Sequence, residues 1–175
     1  MIRPGTQGDR SFINADNATT EGIEVEFTKG LGFVSERMQD FFISTNATFI
    51  ESEVSIRKED SSILTNNTRP LQGQADHIFN VQLGFDDKFK QKGSFTYHLT
   101  GEKIREVGVL GAPDVMDQPY GELDFSYTRY VGDHLEFNIK AKNLLNQEIE
   151  TTQGGHDVNT YRDGTSGSVG LTYTF

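Results

Sequence analysis

Apolar and polar side chains alternate along seven stretches of this chain, with the period of two that an extended strand uses to separate its faces. Over residues 18–29, Ile23, Val25 and Phe27 alternate with Gly22, Glu24 and Glu26. Over 38–56, Phe41, Ile43, Ala47 and Phe49 oppose Ser44, Asn46 and Thr48, and over 71–86, Phe79, Val81, Leu83 and Phe85 oppose Asn80, Gln82 and Gly84. Residues 93–107 set Phe95, Tyr97 and Leu99 against Ser94, Thr96, His98 and Thr100. Residues 119–131 set Leu123, Phe125 and Tyr127 against Glu122, Asp124, Ser126 and Thr128. Residues 134–148 repeat the pattern with Leu135, Phe137, Ile139 and Ala141, and the terminal stretch 166–175 with Val169, Leu171, Tyr173 and Phe175. No amphipathic stretch of helical period appears, so the chain reads as all-β.

The connections alternate in length. Short links rich in turn residues fall at 30–37, 87–92 and 131–133, and longer polar links at 57–70, 108–118 and 149–165. That rhythm predicts an antiparallel up-and-down meander, with tight turns at one end and extended loops at the other. The terminal strand ends on the tight-turn side.

Composition decides which solvent each face meets. A hydrophobic content of 34%, a mean hydropathy of −0.53 and no long apolar run exclude a membrane-spanning helix. A spanning β-strand needs only every second residue apolar, so the same numbers admit a membrane barrel. On the polar face, Glu24, Glu26, Glu122, Asp124, Glu136, Lys140 and Lys142 sit in mid-strand. A small soluble barrel fills its interior with apolar packing, whereas a wide hydrated lumen accommodates such charges. A one-faced soluble sheet packed on another layer would give the same alternation.

A net charge of −10, spread along the chain, argues against nucleic acid as a partner, since phosphates require a basic stripe. The absence of cysteine removes disulfides, thiolate metal sites and cysteine nucleophiles. His77, His98, His134 and His156 fall in no metal-binding spacing, and no cofactor or metal ligand is assigned. The pairs Glu24/Glu26 and Glu122/Asp124 have the separation of a glycosidase acid and base, about 7 Å on one strand face. They read instead as lumen lining, and no catalytic residue is assigned. GLGFVS at 30–35 has too few glycines for a phosphate loop and reads as a tight turn.

Two motifs carry a resemblance. In NADNATTEGIEVEF (14–27), Asn14, Ala15, Ala18, Gly22, Glu24, Glu26 and Phe27 fit a recurrent barrel strand of TonB-dependent outer-membrane receptors. In AKNLLNQE (141–148), Asn143, Leu144, Leu145 and Asn146 fit the motif of the penultimate strand in the same family. The final octet SVGLTYTF resembles the signal by which outer-membrane barrels are recognised by their insertion machinery, with Ser168, Gly170, Tyr173 and Phe175 in the signal positions. Lipid would then cover the apolar side of a strand that ends on a bare aromatic.

The resemblance implies an antiparallel up-and-down transmembrane β-barrel segment of about seven strands, the C-terminal part of a receptor barrel of about twenty-two strands. It places the chain in the outer membrane of a Gram-negative bacterium, in contact with lipid. The parent protein would take up a scarce ligand such as a siderophore, a vitamin or a glycan. TonB would couple only through a plug region that residues 1–175 do not contain, and MIRPGTQGDRSF has no secretory signal. Any small ligand would meet the long loops 106–122 and 150–164, where Asp157, Tyr161 and Arg162 are the candidate contacts. Two alternatives stand beside this reading. A soluble all-β binding module predicts a dry core of Phe95, Leu123, Phe137 and Leu171. A small outer-membrane barrel enzyme would need a nucleophile and base that the sequence does not supply.

Overall fold

The computed structural model describes residues 14–57 and 63–175, together with the backbone of 2–4 and 10–12. In chain order the strands are β1 (Ile2–Pro4), β2 (Arg10–Phe12), β3 (Asn17–Gly30), β4 (Phe41–Ser55), β5 (Thr68–Arg69), β6 (His77–Asp86) and β7 (Gln91–Thr100). They continue with β8 (Lys103–Glu106), β9 (Val115–Asp117), β10 (Tyr120–Val131), β11 (Leu135–Lys142), β12 (Ile149–Gln153), β13 (His156–Tyr161) and β14 (Ser166–Tyr173). Helical structure among the described residues is one 3-10 turn, Glu36–Met38, whose first turn is capped by Ser35 accepting from the Arg37 amide. No helix there is long and apolar enough to cross a membrane.

Seven strands form one antiparallel sheet in the order β14-β11-β10-β7-β6-β4-β3, with β5 paired on the outer end of β4. These are the seven alternating stretches of the sequence. Each hydrogen-bonds to its neighbour among the seven in the chain, as a meander requires. The ladder does not close: β3 and β14 are its two edges. The all-β antiparallel architecture therefore holds, while the sheet itself is open.

Register carries the alternation across the whole sheet. Ile43, Leu83, Phe95, Phe125 and Ala141 lie side by side on five successive strands, one row of an apolar face. Glu26, Asn46, Asn80, His98 and Glu122 form a matching row on the opposite, polar face. Aromatic contacts staple the apolar rows: Phe95 and Phe125 lie 4.9 Å apart, and Phe49 meets Phe79 edge-on at 5.3 Å. Cross-strand pairs of this kind contribute about 0.2–1 kcal/mol each to a sheet. At Gly22 the β3 and β4 backbones approach so closely that a Cβ would sit 2.9 Å from the Phe49 carbonyl oxygen.

The turns fall where the short links were read. GLGFVS is a tight turn, with the Val34 amide donating to the Leu31 carbonyl and Leu31 to the Phe41 carbonyl. The link after β6 is closed by the Asp86 side chain, which accepts from the Lys88 amide at 2.8 Å.

The long loops correct the sequence reading. Residues 108–118 and 149–165 were expected to be irregular connectors, yet they fold into a second antiparallel sheet of order β13-β12-β9-β8. The stretch 93–107 is accordingly two strands, β7 and β8, broken at Gly101 and Glu102. The stretch 134–148 also ends early, at Lys142. Asn143 and Asn146 both adopt left-handed backbone, φ 54° and 45°, which a continuing strand cannot use and asparagine tolerates better than most residues.

The buried apolar residues sit with these loops. Val54, Ile56, Ala75, Ile104 and Val107 are buried at the loop end of the molecule. Arg69 lies buried there too, its Nη1 donating to the Asn66 carbonyl at 2.8 Å. Burial pulls that guanidinium below its usual value, against the attraction of Asp114. Among the described residues the broad face of the seven-stranded sheet has no such cover: Val25 is 57% exposed, Leu83 47%, Phe95 48% and Leu171 69%.

Candidate functional site

The two surfaces of the large sheet differ in chemistry, and the polar one is built as a network. Asn46 Nδ2 donates to Glu24 Oε1 at 2.6 Å, and Thr28 and Ser44 hydroxyls bond across the same strand pair at 2.8 Å. His98 Nδ1 meets Asn80 Oδ1 at 2.6 Å, and its Nε2 meets Thr100 Oγ1 at 3.0 Å. With the Asn80 oxygen as acceptor, Nδ1 carries the proton and Nε2 accepts from the threonine hydroxyl. Ser94 and Ser126 continue the ladder at 3.1 Å.

In each acidic pair of the sequence one carboxylate has a partner on a neighbouring segment. Asp124 Oδ1 is taken by the Asn143 amide at 2.9 Å, which ties β10 to the turn after β11. Glu24 is taken by Asn46.

The motif residues have local structural work. Asn143 donates its side-chain amide to the Gly164 carbonyl at 3.0 Å, and its own carbonyl accepts from the Thr165 hydroxyl at 2.9 Å. Leu144 returns to β10 by donating its amide to the Leu123 carbonyl, and the Asn146 amide closes the turn on the Asn143 carbonyl. Leu144 and Leu145 are exposed. Glu26 and Phe27 sit on opposite faces of edge strand β3, paired with Asn46 and Thr45.

The terminal signal residues divide between the faces. Ser168 pairs with Lys140, and Gly170 with Asn138 on the polar face. A Cβ at Gly170 would lie 2.5 Å from Asn138 Oδ1, so that amide occupies the space a side chain would need. Tyr173 pairs with Leu135 on the apolar face and meets Phe175 edge-on at 5.2 Å. Phe175 is fully exposed.

Where the two sheets adjoin, a cleft of about 290 Å³ opens between the loop end of β7 and β10 and the second sheet. Lys103, Arg105, Asp117, Glu122, Tyr161 and Asp163 line it. One wall is a fixed ion pair: Arg105 Nη1 reaches Asp117 Oδ1 at 3.2 Å and Thr151 Oγ1 at 3.1 Å, with Thr151 itself buried. Of the three loop contacts expected from the sequence, Tyr161 lies in this cleft. Arg162 turns instead to Glu148 at 3.6 Å, and Asp157 is exposed on β13 opposite Thr152. Lys103, Glu122 and Asp163 were not foreseen together. They lie on three separate segments, β8, β10 and the chain after β13, which the fold brings to one cleft.

Fold and surfaces define a class: an all-β chain with an open antiparallel sheet, one face apolar and uncovered, the other polar and charged. No family model, curated protein or solved structure matches this chain.

Proposed function

We propose that this chain is a wall segment of an outer-membrane β-barrel, of the kind found at the C-terminal end of TonB-dependent receptors, whose parent imports a scarce ligand. The observation that carries the reading is the seven-stranded sheet's uncovered apolar face, set against a polar face with charges in mid-strand. Among the described residues no second layer packs on Phe95 or Leu171, which the soluble binding module required in a dry core. Lipid supplies the missing cover, and closure in a membrane satisfies the edges. Neighbouring strands are antiparallel, so β3 and β14 run in the same direction, and antiparallel closure needs an odd number of further strands between them.

In this reading Ser168, Gly170, Tyr173 and Phe175 are recognised by the barrel-insertion machinery, and contact with TonB belongs to a plug region of the parent. The segment holds no catalytic step of its own. Fractionation of the source cells tests it, with blots of outer membrane and cytosol using an antibody to residues 150–165. A band in the outer membrane is expected. A purely cytosolic, soluble band would overturn the proposal.

A further inference from the structure

The geometry points to the cleft between the two sheets as a binding site for a small organic cation, an amine or guanidinium, held by Glu122 and Asp163 with Tyr161 against its apolar part. This deepens the receptor reading and rests on it only for its place at the barrel mouth. The cleft's volume, about 290 Å³, lies just below the range for drug-sized ligand sites, about 300–1,000 Å³, which suits a smaller ligand.

Charge selects the ligand class. Arg105 and Asp117 neutralise each other in their ion pair. Of the remaining charged lining residues, Glu122 and Asp163 carry two negative charges against the single positive charge of Lys103, and none of the three makes a salt bridge among the described residues. An incoming cation therefore completes the balance. The surroundings add to it: Glu51, Asp76, Glu102 and Glu150 lie at the same loop end of a chain with net charge −10, while Glu148 is already paired with Arg162. Such a field raises the local concentration of cations and speeds their arrival.

Two of the groups stand on strands, and Asp163 lies on the short link between β13 and β14. Glu122 stands on β10, fixed on one side by pairing with β7. Tyr161 ends β13 opposite Ile149 and is 42% exposed, leaving its ring available to a cation. The nearby Gln118 amide is already spent on Glu102 and Thr152, at 3.2 and 3.0 Å, so it does not compete for the carboxylates.

Calorimetric titration of the detergent-extracted chain tests the inference, with agmatine as cation, glucose as neutral polyol and citrate as anion. Agmatine is expected to bind saturably, and about ten-fold more weakly in Glu122→Gln and in Asp163→Asn, the loss of one charge-assisted hydrogen bond. Lys103→Gln should tighten agmatine binding. Asp133→Asn, which removes a carboxylate at the opposite, tight-turn end, should leave it unchanged. Each variant is first checked for an unaltered unfolding midpoint. Absence of saturable agmatine binding, equal affinity in both cleft variants and the parent chain, or tighter binding of citrate or glucose would overturn the cation site. A chain that fractionates as soluble protein overturns the membrane reading alone, because the titration then runs in buffer without detergent.

Discussion

At the scale of single residues, the positions with the tightest constraints are those where backbone geometry leaves one choice. Asn143 combines left-handed backbone with three hydrogen bonds that join the turn to β10 and to the chain entering β14. Alanine there meets the left-handed cost of about 1–2 kcal/mol and leaves the Gly164 carbonyl without its donor. Asn143→Ala should therefore destabilise the fold by about 1–3 kcal/mol, while Asn143→Gly, which keeps the backbone conformation, should recover the conformational part. Denaturant unfolding of both variants in detergent separates the two contributions.

Gly22 is constrained differently, by contact instead of conformation. Its Cβ would press on the Phe49 carbonyl oxygen, a backbone atom that cannot rotate away. Gly22→Ala should cost about 1–3 kcal/mol, the usual range for overpacking, and its unfolding midpoint in the same assay measures it. An unchanged midpoint would mean that β3 and β4 separate freely at this point.

At the scale of elements, the sheet's two faces make opposite demands on the same strand. Leu83 and Gln82 are adjacent on β6 but lie on the apolar and polar faces, beside Phe95 and Thr96. If lipid covers the apolar face, Leu83→Arg should destabilise the folded chain in bilayers by about 2–4 kcal/mol, the cost of arginine near the midplane. Gln82→Arg, on the face read as hydrated, should cost far less. Folding titrations into lipid vesicles compare the two directly, and equal costs would remove lipid from that face.

The small elements at the loop end behave as a separate unit. Val54, Ile56, Ala75, Ile104 and Val107 are buried there, and the Arg105–Asp117–Thr151 network locks β8, β9 and β12 together. Loops held this way present a defined surface, as recognition by rigid groups requires.

At the scale of the whole molecule, exposed apolar area decides behaviour in water. Contiguous patches larger than a few hundred Å² on a soluble protein mark interaction surfaces or aggregation, and the apolar rows here run across all seven strands. Without detergent the chain should aggregate, and in detergent micelles it should sediment as a uniform species, which analytical ultracentrifugation in both conditions would establish. A uniform, cooperatively melting monomer in plain buffer would contradict the uncovered-wall reading.

The seven strands, their faces and the alternation of short and long connections were legible in the sequence, because a period of two depends on each residue and its immediate neighbours alone. The end of β11 at Lys142 was not, since no glycine or proline marks it and the left-handed asparagines break the strand. The second sheet was hidden for a stronger reason: β8, β9, β12 and β13 are three to six residues each, too short to show a period, and the pairing that joins their two halves, β9 with β12, spans more than thirty residues of chain. The same pairing decides the cleft. The sequence by itself supplied Tyr161 as a loop aromatic and Glu122 as one of a pair of polar-face carboxylates with Asp124. Only the tertiary structure set them beside Lys103 and Asp163 and turned Arg162 away to Glu148, because convergence of side chains from distant segments follows from register between strands, which no local pattern encodes.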